Sequence, residues 1–286
     1  MQKIIILILG FFTISVLLFC TQPEAYDNPS AYDLSKPKKF ILKRSLHEIS
    51  GIIYFNNSGE IGAIQDEEGK FFHFHLGDEN YEHFQFAKKG DYEDLAMLSN
   101  GMIAVLRSDG TIFTFSRNLA EKNASFENPN LIPAGEYEGM AVDGDKLLVL
   151  CKICPADNQK KELSVYTLGI DDKDSSHLKL KPLNQFKIDL SPLQLKNSAD
   201  KRPRIHPSAL AKHPVSHEWY LLSSVNKLLI ILDEQWKIKR YYQLDPAMFR
   251  QPEGITFDAK ANLYISNEGG DGDGNILEFD YNPPKS

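Results

Sequence analysis

The sequence predicts an all-β fold, a five-bladed β-propeller. Five segments resemble one another, because each begins with Ser or Glu, continues as a short apolar strand, and is followed by a turn and further apolar runs. Their starts are separated by 43, 45, 70 and 45 residues. A period in the forties with about four short strands per unit is typical of propeller blades. The five starts are Ser50, Glu93, Glu138, Ser208 and Glu253.

Each start is followed by two or three more predicted strands. The second strands are expected at residues 61–65, 102–106, 147–151, 219–223 and 263–267. The third strands are expected at residues 70–75, 111–116, 163–168, 227–232 and 275–280. Four units have a fourth strand, for example at residues 81–86, 185–190 and 238–244. The longer third unit is expected to carry insertions at 170–180 and 196–204.

The fifth unit lacks an outer strand of its own, because the chain leaves through Pro283 and Pro284 soon after its third strand. Residues 39–46, before the first repeat, have strand character and can take that place. Closure by an N-terminal strand leaves no unpaired blade edge. We therefore assign residues 38–286 to the propeller, 21–37 to a polar tether and 1–20 to a signal segment.

The signal segment has the pattern of a bacterial lipoprotein signal. Lys3 precedes an apolar run at residues 4–19, which ends directly at Cys20. In such a signal the cysteine becomes the lipidated N-terminus after cleavage, and an uncleaved membrane anchor is the alternative. Both alternatives place the folded domain in the cell envelope, attached to a membrane and facing the periplasm or the exterior.

The net charge argues against a nucleic-acid-binding protein, and the cysteine content argues against a zinc site. The net charge of −7 argues against nucleic acid as a partner, since phosphate binding requires clustered Lys and Arg. Cys151 and Cys154 form a single Cys-x-x-Cys pair, and no second pair completes a zinc site. A local disulfide and two buried thiols remain alternatives. The sequence does not determine the oligomeric state.

The first residue of each first strand is expected to face the central channel near one mouth. Three carboxylates gathered there repel one another unless their pKa values rise or a cation binds. Calcium suits an all-oxygen set, since it accepts many oxygens in loose geometry, and no His/Cys set favours zinc. Glutamates that only solvate a wet channel are the alternative. The predicted calcium ligands are Ser50, Glu93, Glu138, Ser208 and Glu253.

Two further sets of residues are expected around the same mouth. The ends of the second strands supply ligand-binding candidates, which are Asp66, Arg107, Lys152, Ser224 and Glu268. Arg107 and Lys152 are suited to hold a small anion such as a phosphate or carboxylate, or alternatively to pair with nearby acids. The loops upstream of the ring supply candidate general bases, which are Glu48, Asp91 and His206.

Five motifs mark the strand starts: Glu48-Ile-Ser-Gly-Ile52, Tyr92-Glu-Asp-Leu95, Tyr137-Glu-Gly-Met140, His206-Pro-Ser-Ala-Leu210 and Gln251-Pro-Glu-Gly-Ile255. Together they resemble the SdiA-regulated (YjiK-like) family of exported β-propellers over about residues 40–280. The resemblance implies a cell-envelope propeller linked to calcium, without a firmly assigned reaction. More distantly, the ring alone is similar to the Ser-Glu-Glu-Ser-Glu ring that holds calcium in calcium-dependent apyrase nucleotidases.

Three functions are compatible with these features. The first is a membrane-anchored calcium-binding propeller that binds or senses a ligand at the channel mouth. The second is a calcium-dependent hydrolase of a phosphate ester, phosphoanhydride or lactone, in which the metal polarises the substrate and activates water. The third is a metal-free scaffold for protein contacts. We favour the binding role, because the sequence contains no Gly-x-Ser-x-Gly motif and no phosphate-binding glycine loop.

Overall fold

Five antiparallel four-stranded sheets make up the computed structural model, which describes residues 26–117, 125–158, 160–171, 179–194 and 204–283. The sheets are the blades of a five-bladed β-propeller, so the predicted fold class is confirmed. The helix content of the described residues is one short 3₁₀ helix at Arg44–Leu46. Within the described part of the chain, no helix is long and apolar enough to cross a membrane.

The blades follow one another in chain order, with the innermost strand first. Blade 1 contains β2 (Ile49–Phe55), β3 (Glu60–Gln65), β4 (Lys70–Phe74) and β5 (Glu82–Gln85). Blade 2 contains β6 (Tyr92–Met97), β7 (Met102–Arg107), β8 (Ile112–Ser116) and β9 (Phe126–Asn128). Blade 3 contains β10 (Glu136–Asp143), β11 (Lys146–Ile153), β12 (Glu162–Asp171) and β13 (Lys179–Asp189).

The last two blades complete the ring. Blade 4 contains β14 (Ala209–Lys212), β15 (Trp219–Ser223), β16 (Leu228–Leu232) and β17 (Ile238–Gln243). Blade 5 contains β18 (Pro252–Phe257), β19 (Leu263–Asn267), β20 (Asn275–Phe279) and, as its outer strand, β1 (Lys38–Ile41).

The N-terminal strand closes blade 5 as predicted. β1 pairs antiparallel with β20, with Lys38 opposite Glu278 and Ile41 opposite Asn275. The strand is shorter than expected, because the chain turns after Leu42 and forms the 3₁₀ helix that carries a fully buried Leu46 toward the first blade. The prediction of a strand through residue 46 is therefore wrong at its C-terminal end.

The expected insertion at 170–180 is in part a longer hairpin. β12 and β13 pair along their whole length, with Ile170 opposite Leu180, and both side chains are buried in a core shared with blade 2. Of this insertion, residues 172–178 lie outside the described residues. The same holds for residues 196–203 of the second expected insertion.

Part of the expected tether is packed on the propeller. Tyr32 and Leu34 are buried among apolar residues of blades 4 and 5. The Tyr32 hydroxyl donates a hydrogen bond to the Ala261 carbonyl over 2.6 Å and lies 2.8 Å from His213 Nε2. The prediction of a tether through residue 37 is therefore wrong for this stretch. The signal segment with Cys20, and residues 21–25, lie outside the described residues.

The apolar core lies between neighbouring blades and not on the axis. Strands such as β16 are buried along their whole length, because both faces of a blade pack on other blades, and they therefore read as continuous apolar runs. Trp219 and Trp236 stack with ring centroids 4.5 Å apart within one of these layers. This arrangement leaves the ends of the innermost strands to supply polar side chains to the channel.

Candidate functional site

Four of the five predicted ring residues lie at β-bulges of the innermost strands. In blades 2, 3 and 5 the ladder skips one residue of the first strand, and the skipped residue is the ring glutamate. In blade 1 the irregularity spans Ser50 and Gly51. A bulge re-aims a side chain and ends regular pairing, which is why bulges are frequent beside functional sites. The four bulge residues that line the channel mouth are Ser50, Glu93, Glu138 and Glu253.

Blade 4 departs from this pattern. Ser208 lies just before β14, where its amide donates to the Leu222 carbonyl over 2.9 Å and the following pairs are regular. Its buried hydroxyl donates to the Pro252 carbonyl of blade 5 over 2.7 Å. Ser208 thus joins two blades and does not line the cavity, so the structure does not place it with the other four predicted ligands.

The channel mouth holds a strongly acidic cavity of about 270 Å³. Eight carboxyl groups, two serine hydroxyls and one ammonium group line it. The lining residues are Glu48, Ser50, Asp66, Asp91, Glu93, Ser108, Glu136, Glu138, Lys152, Glu253 and Glu268. Glu136 and Ser108 were not among the predicted site residues. The repeat pattern does carry a signal for Glu136, which occupies the same position in its blade as Glu48 and Asp91 do in theirs.

Lys152 is the one basic residue among those that line the cavity. Its ammonium group forms a salt bridge with Glu138, and 27% of the lysine side chain is exposed. Burial works to lower the pKa of Lys152, but the bond to Glu138 and the charges of Glu93 and Glu136 outweigh it and leave the pKa raised. The lysine is therefore charged and neutralises part of the ring.

The inner carboxyl groups bind protons more tightly than carboxyl groups in water do. Burial, with the charge of Glu138 as the next cause, raises the pKa of Glu93 to about 9. The same two causes raise the pKa of Glu253 to about 7. Burial also raises the pKa of Glu138, although Lys152 opposes the shift. Without a bound cation, the ring thus retains protons in neutral solution.

The outer carboxyl groups form a hydrogen-bonded chain at the rim. Burial and a hydrogen bond with Glu48 raise the pKa of Glu268 to about 8, whereas the bonds from Glu268 and His47 lower the pKa of Glu48. His47 Nδ1 lies 2.7 Å from Glu48 Oε1, and Gln251 donates to Glu268 Oε2 over 2.7 Å. Burial and neighbouring acids raise the pKa of Asp66 to about 6.

The donor set fits a hard cation, with one geometric condition. The Asp66 Oδ1 atom is buried and accepts no hydrogen bond, so one carboxylate oxygen of the cavity lacks a donor. An ion about 2.4 Å from each ligand requires ligand atoms within roughly 4.8 Å of one another. Among the described residues, no three of these carboxyl groups meet that spacing. Binding therefore needs side-chain rotation or bridging waters to complete the coordination sphere.

The two remaining predicted ligand-binding residues, Arg107 and Ser224, do not line the cavity. Arg107 donates to both carboxylate oxygens of Asp109, over 3.0 and 2.9 Å, and to Thr111 over 3.1 Å. Neither the expected pairing of Arg107 with the acids of the mouth nor a joint anion site with Lys152 is observed, because Arg107 is directed along its own blade. Ser224 is buried and hydrogen-bonds Glu253, a residue that does line the cavity.

The three candidate bases differ in position. Glu48 and Asp91 line the cavity. His206 does not, and its Nδ1 atom is buried without a hydrogen-bond partner. Burial and the nearby charges of Lys152 and Arg204 lower the pKa of His206, so its imidazole is neutral at pH 7. Two of the three candidates are thus in reach of a molecule in the cavity.

The two cysteines of blade 3 form a disulfide, Cys151–Cys154. Their sulfur atoms and a carboxylate oxygen of Asp157 are the one group of three metal-ligand atoms with mutual spacing below 4.8 Å in the described residues. The sulfur atoms are bonded to each other, and Asp157 accepts hydrogen bonds from the Ser164 amide and hydroxyl. These bonds account for the cluster without an ion.

Comparisons with known proteins agree with the fold and the family resemblance. The model of the SdiA-regulated family matches residues 193–270, which include all of blade 4 and the first two strands of blade 5, and it confirms the resemblance seen in the motifs. A comparison with curated protein sequences gives no significant match.

Solved structures share the architecture at low sequence identity. Glutaminyl cyclase of Myxococcus xanthus is 12% identical, with 86% of this chain and 97% of that chain covered and a TM-score of 0.53. A luciferin-regenerating enzyme is 10% identical, with 86% and 95% covered and a TM-score of 0.53. At such identities the likeness concerns the fold alone.

Proposed function

We propose that the chain is an exported, membrane-anchored calcium-binding β-propeller of the cell envelope, which binds or senses a small anionic ligand at its channel mouth. The observation that carries the proposal is the convergence of eight carboxyl groups on one cavity beside a single lysine. So many acids in a partly desolvated space are unfavourable unless they are protonated or paired with a cation.

Calcium is the cation that suits this set of donors. Apart from Lys152, the residues that line the cavity all offer oxygen atoms as ligands. Their carboxyl groups come from different blades and do not form a regular arrangement. Calcium accepts such irregular sets of six to eight oxygens, whereas magnesium requires a near-ideal octahedron. The ring residues Glu93, Glu138 and Glu253 are the expected ligands, with Ser50 and Asp66 as further donors.

An anionic ligand is expected to depend on the cation. The cavity is acidic, and its lysine already pairs with Glu138, so an anion gains little there by itself. A cation held by the ring carboxyl groups would supply the positive charge that such a ligand needs. Glu48 and Asp91 could serve as bases for a hydrolytic step, but Glu48 is already held by His47 and Glu268. We therefore retain the binding role over the hydrolase alternative.

Export and anchoring are supported by two features of the chain. Residues 1–20 carry the lipoprotein-type pattern that ends at Cys20. The Cys151–Cys154 disulfide is of the kind that persists in oxidising compartments outside the cytoplasm. Cys20→Ser in the full chain is expected to abolish lipid labelling and to move the protein from the membrane fraction to the soluble fraction. Unchanged membrane retention and labelling would contradict lipidation at this cysteine.

The calcium proposal is tested by calorimetric titration of metal-stripped protein. We expect saturable calcium binding, a higher unfolding temperature with calcium, and weaker binding of magnesium. Glu93→Gln combined with Glu138→Gln is expected to weaken calcium binding at least tenfold. Glu79→Gln, at an exposed position outside the cavity, is the matched control and should leave binding unchanged. Absence of binding by the unaltered protein, or equal affinity in both variants, would overturn the proposal.

A further inference from the structure

Lys152 lies inside a four-residue loop that the disulfide closes. The loop runs Cys151-Lys152-Ile153-Cys154 at the end of β11, so the lysine lies between the two cross-linked cysteines. Cys151 is paired with Tyr137 in the β-ladder, and Ile153 is paired with Glu136. Glu138, the partner of Lys152, follows Tyr137 on the bulged strand. The cross-link therefore fixes the stretch of backbone that faces the bulge.

The Cys154 end of the loop is held by close packing. Its sulfur lies 4.0 Å from the Tyr137 hydroxyl and 3.9 Å from the Tyr166 hydroxyl, and it is 5% exposed as a residue. A Cβ atom at Gly135 would lie only 3.2 Å from this sulfur, so little free space remains beside it. The disulfide thus links the end of β11 to a cysteine whose sulfur packs against two tyrosines, Tyr137 and Tyr166.

Lys152 forms an ion pair with Glu138, a carboxylate that a bound cation would also use. Its ammonium group pairs with Glu138, and Glu93 lies close enough to interact with it electrostatically. A positive charge held inside the ring competes with an incoming cation for the same oxygens and repels it. The position of Lys152 is therefore a determinant of how strongly the ring binds a cation.

We propose that the Cys151–Cys154 disulfide acts as a positioning element, which holds the Lys152 ammonium against Glu138 and thereby sets the cation affinity of the ring. The inference rests on the proposed calcium site. It assigns a functional role to the Cys-x-x-Cys pair, whose sulfur atoms themselves contact neither the cavity nor any ligand. Lys152 is the residue through which the cross-link acts.

The first test needs no metal. Lysine acylation followed by mass spectrometry measures how firmly the ammonium group is held, since an ion-paired amine reacts slowly. Lys212 is a matched control, because 27% of its side chain is exposed, as for Lys152, and it pairs with Asp143 over 2.8 Å. Replacing both cysteines with alanine is expected to increase acylation of Lys152 several-fold and to leave that of Lys212 unchanged. Equal reactivity of Lys152 in both proteins overturns the positioning role.

The second test is a thermodynamic cycle on calcium affinity at pH 8.5. Lys152→Met is expected to raise the affinity about tenfold, because it removes a competing charge. Loss of both cysteines should raise it by a smaller factor, and should add nothing once Lys152 is methionine. A cysteine effect that persists in the Lys152→Met background would show that the cross-link acts by another route, and so would contradict the proposal.

The outcomes separate the two proposals. If no protein of the cycle binds calcium, the proposed function fails, while the acylation result still decides whether the disulfide positions Lys152. If calcium binds but the cysteine and lysine effects are additive, only the positioning role fails. Should the double alanine variant not fold, Cys151→Val with Cys154→Ala keeps more of the apolar volume of the blade core and allows both measurements.

Discussion

Replacing Glu253 by glutamine tests the electrostatics of the ring with the smallest change in shape. The carboxyl group lies at the bulge of β18, lines the cavity and accepts a hydrogen bond from Ser224. Glutamine has nearly the same volume, still accepts that hydrogen bond, and does not titrate. The variant therefore removes the ionisation and retains the packing.

The magnitude follows from the raised pKa. Burial raises the pKa of Glu253 from 4.5 to about 7, so the folded chain binds this proton more tightly than the unfolded chain does. The resulting stability is fully present below pH 4.5 and is lost as the pH rises through 7. One pH unit corresponds to 1.36 kcal/mol, which gives a loss of about 3 kcal/mol between pH 4.5 and 8.

Urea unfolding of metal-stripped protein at several pH values measures this loss. Glu253→Gln is expected to equal the unaltered protein at pH 4.5 and to exceed it by about 3 kcal/mol at pH 8. Calcium at pH 8 should stabilise the unaltered protein more than the variant, because the ion compensates the charge that the variant lacks. Glu79→Gln, at an exposed position, should have no such pH signature. If Glu253→Gln and the unaltered protein lose stability in parallel from pH 4.5 to 8, the electrostatic reasoning is refuted.

Three further predictions concern the same blades. Calcium binding should release protons from Glu93 and Glu253, whose pKa values are about 9 and 7. Calorimetry in buffers of different ionisation enthalpy should therefore detect proton release, and the calcium affinity should rise from pH 6 to 9. The two carboxyl oxygens of the buried Asp94 accept hydrogen bonds from the Leu95 and Met140 amides, so Asp94→Ala should lower the free energy of unfolding by about 2–4 kcal/mol, as measured in urea. Asp94→Asn should also be destabilising, because asparagine has a single acceptor oxygen and turns its NH2 group toward the second amide. Tyr32→Phe, which removes the hydrogen bond to Ala261, should cost about 1–3 kcal/mol in the same assay, and no change would contradict the docking of this segment.

The fold could be predicted from the sequence because its repeats are independent copies of one physical pattern. The predicted second strands agree with the structure within two residues at each end, since each is an apolar run bounded by turns. The segment with Tyr32 and Leu34 could not be predicted in this way. Two apolar residues in a polar stretch have no periodicity, and their burial depends on a groove between blades that only the folded ring creates.

The site could be predicted only where the repeat alignment determines the direction in which a side chain points. Glu93, Glu138 and Glu253 share one repeat position and meet at the mouth. Arg107 and Lys152 also share a position, yet Lys152 enters the cavity and Arg107 pairs with Asp109. Both side chains are long and flexible, so their final partner depends on the nearest acid, which the alignment does not specify.

The bulges explain why one position per blade carries the chemistry. A strand whose two faces both pack on neighbouring blades has no regular position that points to the axis, so an inward side chain requires a break in the ladder. The break leaves the core pattern on either side unchanged, and acids can therefore accumulate at this position without a loss of apolar packing. In blade 4 the ladder is regular, and Ser208 bonds to the Pro252 carbonyl. Blade 4 consequently supplies none of the residues that line the cavity, and its repeat-position serine joins blades 4 and 5 instead.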